Sequence, residues 1–499
     1  MGFIKKVNIV GGGTAGLTTA LILKSIHPKL KVQIIKSSKE KIVGVGEGST
    51  PEWHEFLKIA NINFRELIRE AGATAKIGIL FNDWNYINHQ YTHSVLYDFP
   101  NKVLDYLILS NSNSPFPLSQ YFESIYFKNK IPIITPEFES VKSYHFDTFK
   151  LNDFLIKKCK ERGIIIKDYF IQNLNLNNKG EISSLQTLDN KIIEGDFFVD
   201  CTGFKRVLMS KLGAKWKSYK DNLPVSHAIT FPTPLNPEKG IETYTTATAL
   251  SSGWAWKIPT QSRYGNGYVF DSRYINEDNA LDEINKHLNT NVEKVAKSIP
   301  FEAGKLNSLW IKNCVAIGLS GSFLEPLEAQ SIGYGIRQAT ILANELYSYP
   351  FSKSVINNYN SRLDRVFNNV LNMVQIHYLT KRNDSKFWKE KPFNLTSFNK
   401  EKIELFSYGF IDYSNFDAAP HDLLFSPTNF YHVLQGMDII SKEKIQYKHK
   451  LLSSSESQLK EEYEDYIENH LHELERYSLY NPDIISMDHM EYLNLLKQS

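Results

Sequence analysis

The segment from Val7 to Ile35 constrains the fold more than any other stretch of the chain. Val7, Ile9 and Val10 make a short apolar strand, and Gly11-Gly12-Gly13-Thr14-Ala15-Gly16 follows as a turn. Leu17 to Ile26 has a helical pattern that stops before Pro28, and Val32-Gln33-Ile34-Ile35 is the next strand. This is a βαβ unit, which commits the chain to an α/β domain with a parallel sheet. Gly11, Gly13 and Gly16 form GxGxxG between strand and helix. The first glycine permits the tight turn, the second lets backbone approach a pyrophosphate, and the third lets helix pack on strand. With Thr14 and Ala15, the helix N-terminus then offers N–H groups and a positive dipole end to phosphates. A dinucleotide site is expected here.

One expected feature is missing. An acidic residue about 20 positions after the motif normally holds the ribose hydroxyls, whereas this chain has Lys36 followed by Ser37. Either of those side chains donates to the ribose, or the adenosine end is held loosely. Two later strands favour FAD over NAD. Asp200-Cys201-Thr202-Gly203 ends one strand, and Val315-Ala316-Ile317-Gly318 ends another, each returning the chain towards the cofactor. A second GxGxxG is absent, since Gly265-Asn266-Gly267 lies within a strand pattern and lacks the third glycine. Reduced flavin therefore has to come from a separate reductase or be generated transiently in place.

The remaining composition excludes several classes. A net charge of +2 gives no sign of a nucleic-acid partner. The three cysteines, Cys159, Cys201 and Cys314, lack CxxC spacing, so neither a disulfide framework nor a metal site is expected. No apolar run reaches the roughly 18 residues of a membrane span, and the first strand follows Lys5-Lys6 directly, so a cytoplasmic location is expected. Residues 149–162 read as a helix, 164–166 and 197–200 as strands, 254–272 as strand-rich, and 331–347 as a helix. From about 351 the pattern is mainly helical, including a surface helix over 455–480. The organisation expected is a core over residues 1–350 carrying an aromatic, substrate-side insert at about 84–140, and a helical region over 351–499 that closes the substrate site.

Several further motifs carry a resemblance. Gly44-Val45-Gly46-Glu47-Gly48-Ser49-Thr50-Pro51, Thr74-Ala75-Lys76-Ile77-Gly78-Ile79, Tyr144-His145-Phe146-Asp147, Gly253-Trp254-Ala255-Trp256-Lys257-Ile258-Pro259, Glu325-Pro326-Leu327-Glu328, His377-Tyr378 and Asp384-Ser385-Lys386-Phe387-Trp388 all stand as in one family. The intact WxWxIP is the most discriminating of them. With these residues the chain resembles the flavin-dependent halogenases, the tryptophan-halogenase-like family, over roughly residues 6–440.

The resemblance implies an FAD-binding Rossmann-type α/β fold, like that of single-component flavin monooxygenases, with a mixed-sheet substrate region and a helical C-terminal part. It implies an enzyme that uses reduced FAD, dioxygen and a halide to make a held hypohalous acid, which halogenates an electron-rich aromatic or heteroaromatic small molecule. Lys76 is the implied catalytic lysine, acting as a hydrogen-bond donor to the oxidant or through a haloamine, and Glu328 the implied catalytic acid, with Glu325 its nearest competitor. The apolar neighbours Ile77, Ile79, Leu80 and Phe81 make a setting in which an unpaired ammonium would be costly, against the default of a solvated surface lysine. Gly46, Glu47, Gly48 and Ser49 belong to a strap against the flavin, and Ile332 also lies on the cofactor side. Pro51, Trp254, Trp256 and Phe430 are expected along the passage to the substrate, the two indoles walling it from the flavin. The halide is expected on backbone N–H groups of Gln330 and Ser331. There the chain departs from the family: Ala329-Gln330-Ser331 stands where Ser-Thr-Gly is usual, and an easily oxidised halide, bromide or iodide, fits such a site better than chloride. The implied partners are a flavin reductase and the aromatic substrate; a homo-oligomer is compatible with the sequence. An aromatic monooxygenase shares the flavin fold but needs neither Lys76 nor Glu328, and a non-catalytic FAD-binding protein has no use for the intact WxWxIP.

Overall fold

The computed structural model describes residues 3–40, 42, 47–95, 104, 105, 108, 129–132, 141–236, 240–453, 465 and 486–498. They group into two compact units: Met1–Ala73 with Phe146–Lys220 and Glu302–Phe367, and Thr74–His145 with Asp221–Phe301 and Asn368–Ser499. Gly44 to Gly46 of the strap, most of the aromatic insert and almost all of the surface helix expected over 455–480 lie outside the described residues.

The first unit is built on a six-stranded sheet. Its central strand, Lys6–Val10, pairs in parallel with Lys31–Lys36 on one side and Phe197–Asp200 on the other. Ile165–Asp168 extends it beyond the second strand, and Cys314–Ala316 extends it beyond Phe197–Asp200. Strands covered on both faces are largely apolar, and Val7, Ile9, Phe197, Phe198, Val199 and Val315 are all fully buried. Helices Thr14–Ile26, Thr148–Glu161 and Gln330–Glu345 belong to the same unit. Asp147 starts the second of these by accepting the Phe149 and Lys150 N–H groups on its carboxylate. The expected boundaries shift by one to three residues at strand ends as well as helix ends, the largest shift being the start of helix Thr14–Ile26, whose first residues carry little apolar signal.

The second unit carries a seven-stranded mixed sheet in the order Lys297–Pro300, His227–Thr233, Tyr264–Phe270, Gly253–Pro259, Tyr244–Leu250, Gly78–Asn82, Gln90–Ser94. Only the Tyr244–Leu250 and Gly78–Asn82 pair is parallel. Helix Glu277–Leu288 covers one face through Ala280 and Ile284 on Ile229, Phe231, Ala255, Tyr268 and Phe270. Alternation puts Trp254 and Trp256 on the opposite face from Ala255. Among the described residues no helix is long and apolar enough to cross a membrane.

Candidate active site

In the first unit the glycine turn is tightly constrained. A Cβ on Gly16 would stand 2.1 Å from the Gly11 carbonyl oxygen, and one on Gly11 would stand 2.1 Å from that of Cys201. A Cβ on Gly13 would meet nothing within 4 Å. Two glycines are thus required by the protein's own packing, whereas the space over the third is left for something else. Gly13 is also the N-cap of helix Thr14–Ile26; no side chain caps that helix and its first turn holds no acid. Bare N–H donors facing open space beside Gly13 are what a pyrophosphate needs, so these residues fit a bound dinucleotide. Asn152 donates to the Gly12 carbonyl at 2.9 Å and steadies the turn from helix Thr148–Glu161.

At the rim of this turn Lys36 lies over Gly12, where a Cβ would come within 2.6 Å of it. Its register partner on the neighbouring strand is Asp168. That carboxylate accepts the Ser38 N–H at 2.9 Å, which, with the Ser38 side chain and the Lys36 charge, holds it below the usual carboxylate range. The acid missing from the second strand therefore has a counterpart one strand away. Asp200 is fully used within the protein: it accepts from Thr202, Leu208 and Met209 N–H groups and shapes the turn containing Gly203. Gly318 donates its N–H to Gln338 at 2.8 Å, and a Cβ on it would stand 2.7 Å from that of Ala15.

Glu328 sits in a short turn, Leu327–Ala329, before helix Gln330–Glu345. It is 3% exposed and has a φ of +67°, followed by Ala329 at +54°. Two successive left-handed non-glycine residues cost roughly 1–2 kcal/mol each, a strain that persists where the surroundings enforce it and that clusters at functional sites. Glu325 is as buried but is absent from the residues with positive φ, so conformation separates the two carboxylates where burial does not. The helix that follows has no side-chain cap. The Gln330 side chain turns back to the Glu325 carbonyl at 2.8 Å, which leaves the helix end to its backbone donors. Gly333 in the second turn lets the strap approach: a Cβ there would stand 2.2 Å from Thr50 Oγ1. Pro51 beside it is the N-cap of helix Glu52–Ile59, and Glu52 meets Arg337 at 3.2 Å.

In the second unit Lys76 ends the strand Thr74–Lys76 and is 1% exposed. The strand is held from several directions. Thr74, Ala75 and Lys76 pair with His145, Tyr144 and Ser143. Thr74 Oγ1 donates to the Pro259 carbonyl at 2.8 Å, so the proline of WxWxIP is an anchor for the lysine strand. Because that hydroxyl donates there, it accepts from His145 Nδ1 at 3.2 Å, and His145 Nε2 accepts from Thr245 at 2.9 Å. Burial, then the Lys76 charge and the nearby His489 ring, keep His145 neutral well below the ordinary histidine range. The Ala75 N–H donates to His489 Nε2 at 3.1 Å.

The tryptophan halogenase family profile matches residues 6–451. The chain belongs to the tryptophan halogenase family. The tryptophan 6-halogenase SttH of Streptomyces toxytricini is 30% identical over 472 residues, 87% of this chain and 90% of that protein. BrvH, a flavin-dependent halogenase from Brevundimonas sp. BAL3, is 25% identical with a TM-score of 0.80, over 99% of both chains. A tryptophan halogenase from Shewanella frigidimarina shares the fold with a TM-score of 0.88 at 22% identity, over 99% of this chain and 98% of that one. The protein is thus a flavin-dependent halogenase, an oxidoreductase acting on aromatic substrates, with the FAD-binding α/β fold that the sequence implies.

In this halogenase the first unit gathers Gly11, Gly13, Thr14, Ala15, Gly16, Lys36, Ser37, Glu47, Gly48, Ser49, Pro51, Gly203, Gly318, Glu328, Gln330, Ser331 and Ile332; the second holds Lys76, Trp254, Trp256 and Phe430. Gly46 lies outside the described residues. The two tryptophans divide their work. Trp254 is 2% exposed and its ring centroid is 6.2 Å from that of Trp84, inside an aromatic core. Trp256 lies across Gly267, where a Cβ would come within 2.2 Å of the indole. Gly267, unremarkable as a motif, is therefore the floor for that ring. Phe430 is fully buried, with its centroid 5.0 Å from that of Phe416. His377 and the 384–388 segment brace the sheet: Tyr91 OH meets His377 Nδ1 at 2.6 Å, and Trp388 Nε1 donates to the Leu250 carbonyl at 2.6 Å. Sequence reasoning missed Asp168, Gly333 and His489, since none lies in a local motif.

Proposed function

We propose that the chain uses reduced FAD from a separate flavin reductase, dioxygen and a halide to halogenate an electron-rich aromatic or heteroaromatic small molecule. The flavin is held by the Gly11–Gly16 turn and the Glu47–Ser49 strap, with Ser37 and Asp168 at the adenosine end and Gly203, Gly318 and Ile332 on the flavin side. Bound reduced flavin supplies the electrons that activate dioxygen for oxidation of the halide to hypohalous acid.

The remaining steps belong to side chains of this chain. Lys76 Nζ donates a hydrogen bond to the oxygen of the hypohalous acid and makes its halogen more electrophilic. The Glu328 carboxylate accepts the proton that leaves the arene as the new bond forms. Backbone N–H groups of Gln330 and Ser331 hold the halide at the uncapped helix end, and bromide or iodide, more easily oxidised than chloride, is the halide turned over fastest. Trp256 lines the substrate side with Trp254 packed behind it, and Phe430 and the helical region after residue 351 back the substrate pocket. The observation that carries the reading is the placement of Lys76: it is 1% exposed on a strand pinned from several sides, a position where lysine is rare and where function is a reason to keep it.

The experiment supplies FAD and an added flavin reductase, offers chloride, bromide or iodide with phenols, indoles and pyrroles, and reads product mass. A product carrying the added halogen is expected. Hydroxylated product independent of halide would instead favour an aromatic monooxygenase, and flavin binding without any product a non-catalytic flavoprotein.

A further inference from the structure

The last helix of the chain, His489–Gln498, begins with a histidine that is fully buried. Its ring makes two hydrogen bonds of opposite sense. Nδ1 lies 2.8 Å from the Ile241 carbonyl, which can only accept, so Nδ1 carries the proton. Nε2 lies 3.1 Å from the Ala75 N–H, which can only donate, so Nε2 is the acceptor. Only one neutral tautomer satisfies both. The short strand Ser486–Asp488 pairs with Lys130–Pro132, and the His489 N–H donates to the Asn129 carbonyl at 2.8 Å, so the ring's entry point is fixed as well.

Ala75 is the residue before Lys76. One edge of its strand is occupied by Ser143 to His145. Without His489 the Ala75 N–H would be a buried donor with no acceptor, a loss of roughly 1–3 kcal/mol that the strand would relieve by twisting. A lysine side chain is a long lever, and a misplacement of about 1 Å at a reacting group costs around a hundredfold in rate. We propose that His489 is a positioning residue for Lys76, fixing the strand from which the ammonium projects. The inference rests on Lys76 being the acting ammonium. It also extends the working part of the enzyme to a segment beyond residue 451, where the family match ends.

Two amide variants separate positioning from simple stability. In His489→Gln the side-chain oxygen replaces Nε2 and keeps the acceptor for Ala75. In His489→Asn the amide NH2 replaces Nδ1 and keeps the donor to Ile241, but the Ala75 N–H loses its partner. Each variant forfeits one hydrogen bond, and Asn is in addition one methylene smaller than Gln, so a merely structural role predicts kcat losses that follow the loss of melting temperature in each. Positioning predicts that His489→Asn lowers kcat by about tenfold or more with KM for the arene within about twofold, and that His489→Gln stays within about threefold of the parent. Hydrogen exchange at the Ala75 amide supplies a readout that does not depend on turnover: about tenfold faster in His489→Asn, close to parental in His489→Gln. Equal kcat losses in the two variants, or an Ala75 amide equally protected in both, overturns the proposal. Full halogenation by Lys76→Ala would instead remove the reading on which it rests, and the exchange data would still report whether the clamp exists.

Discussion

At the scale of single residues, the proposed chemistry rests on two buried side chains. Lys76 is 1% exposed and Glu328 3%. Replacing Lys76 by Ala removes the donor to the oxidant but leaves flavin reduction and oxygen consumption in place. Halogenated product is expected to fall below about a tenth of the parent while hydrogen peroxide continues to form, measured by product mass and a peroxide assay. Glu328→Gln keeps the shape and the left-handed turn but loses the base. Turnover is expected to fall about a hundredfold, with its halide dependence unchanged because the proposed halide donors are backbone. A parental rate in Glu328→Gln would transfer the role to Glu325.

At the scale of elements, close approach rather than conformational freedom explains the glycines. Gly13 has extended backbone that alanine adopts equally well, and open space around its Cβ direction. Gly13→Ala is therefore expected to fold with parental stability yet bind FAD at least about tenfold more weakly, because the methyl would take the space proposed for the pyrophosphate. Gly16→Ala, aimed at the Gly11 carbonyl, is expected to lose stability and flavin binding together. Thermal melts and flavin titrations separate the two, and equal behaviour would remove the phosphate from the space beside Gly13. Gly333→Ala pits helix propensity, which favours alanine by about 1 kcal/mol, against the 2.2 Å approach to Thr50 Oγ1. Overpacking of about 1–3 kcal/mol is the larger effect, so a lower melting temperature is expected. A raised one would show that the strap yields.

At the scale of the whole molecule, buried histidines tie stability to pH. Burial brings His489 down to about 4 from its ordinary 6.5, against opposing contributions from the Ile241 carbonyl, Asp488 and Glu242. Burial, with His93 nearby, brings His432 down to about 3. Both are neutral in the folded protein at pH 6.5 and above, where they add no pH dependence. As pH falls below 6.5 the unfolded chain takes up protons that the folded chain refuses. Stability is then expected to drop on the order of 1 kcal/mol per pH unit for each, down to about pH 4. Unfolding followed at pH 7.5 and 5.5 checks the sign; equal midpoints would mean that these rings are solvated.

The sequence by itself determined what depends on short-range pattern. The βαβ unit, the glycine turn and the buried parallel strands follow from residues a few positions apart, because strand alternation, turn sterics and helix ends are local physics; the candidate pair Lys76 and Glu328 came instead from the resemblance of their short motifs to the halogenase family. Tertiary structure alone decided what depends on which strand becomes a neighbour. It brought Asp168 beside Lys36 from the adjoining strand, placed Trp254 in the core and Trp256 over Gly267, and set His489 against Ala75 across 414 residues. Such contacts have no periodicity to read. They exist only once the chain has closed its long loops, when a buried donor must find its acceptor wherever the fold supplies one.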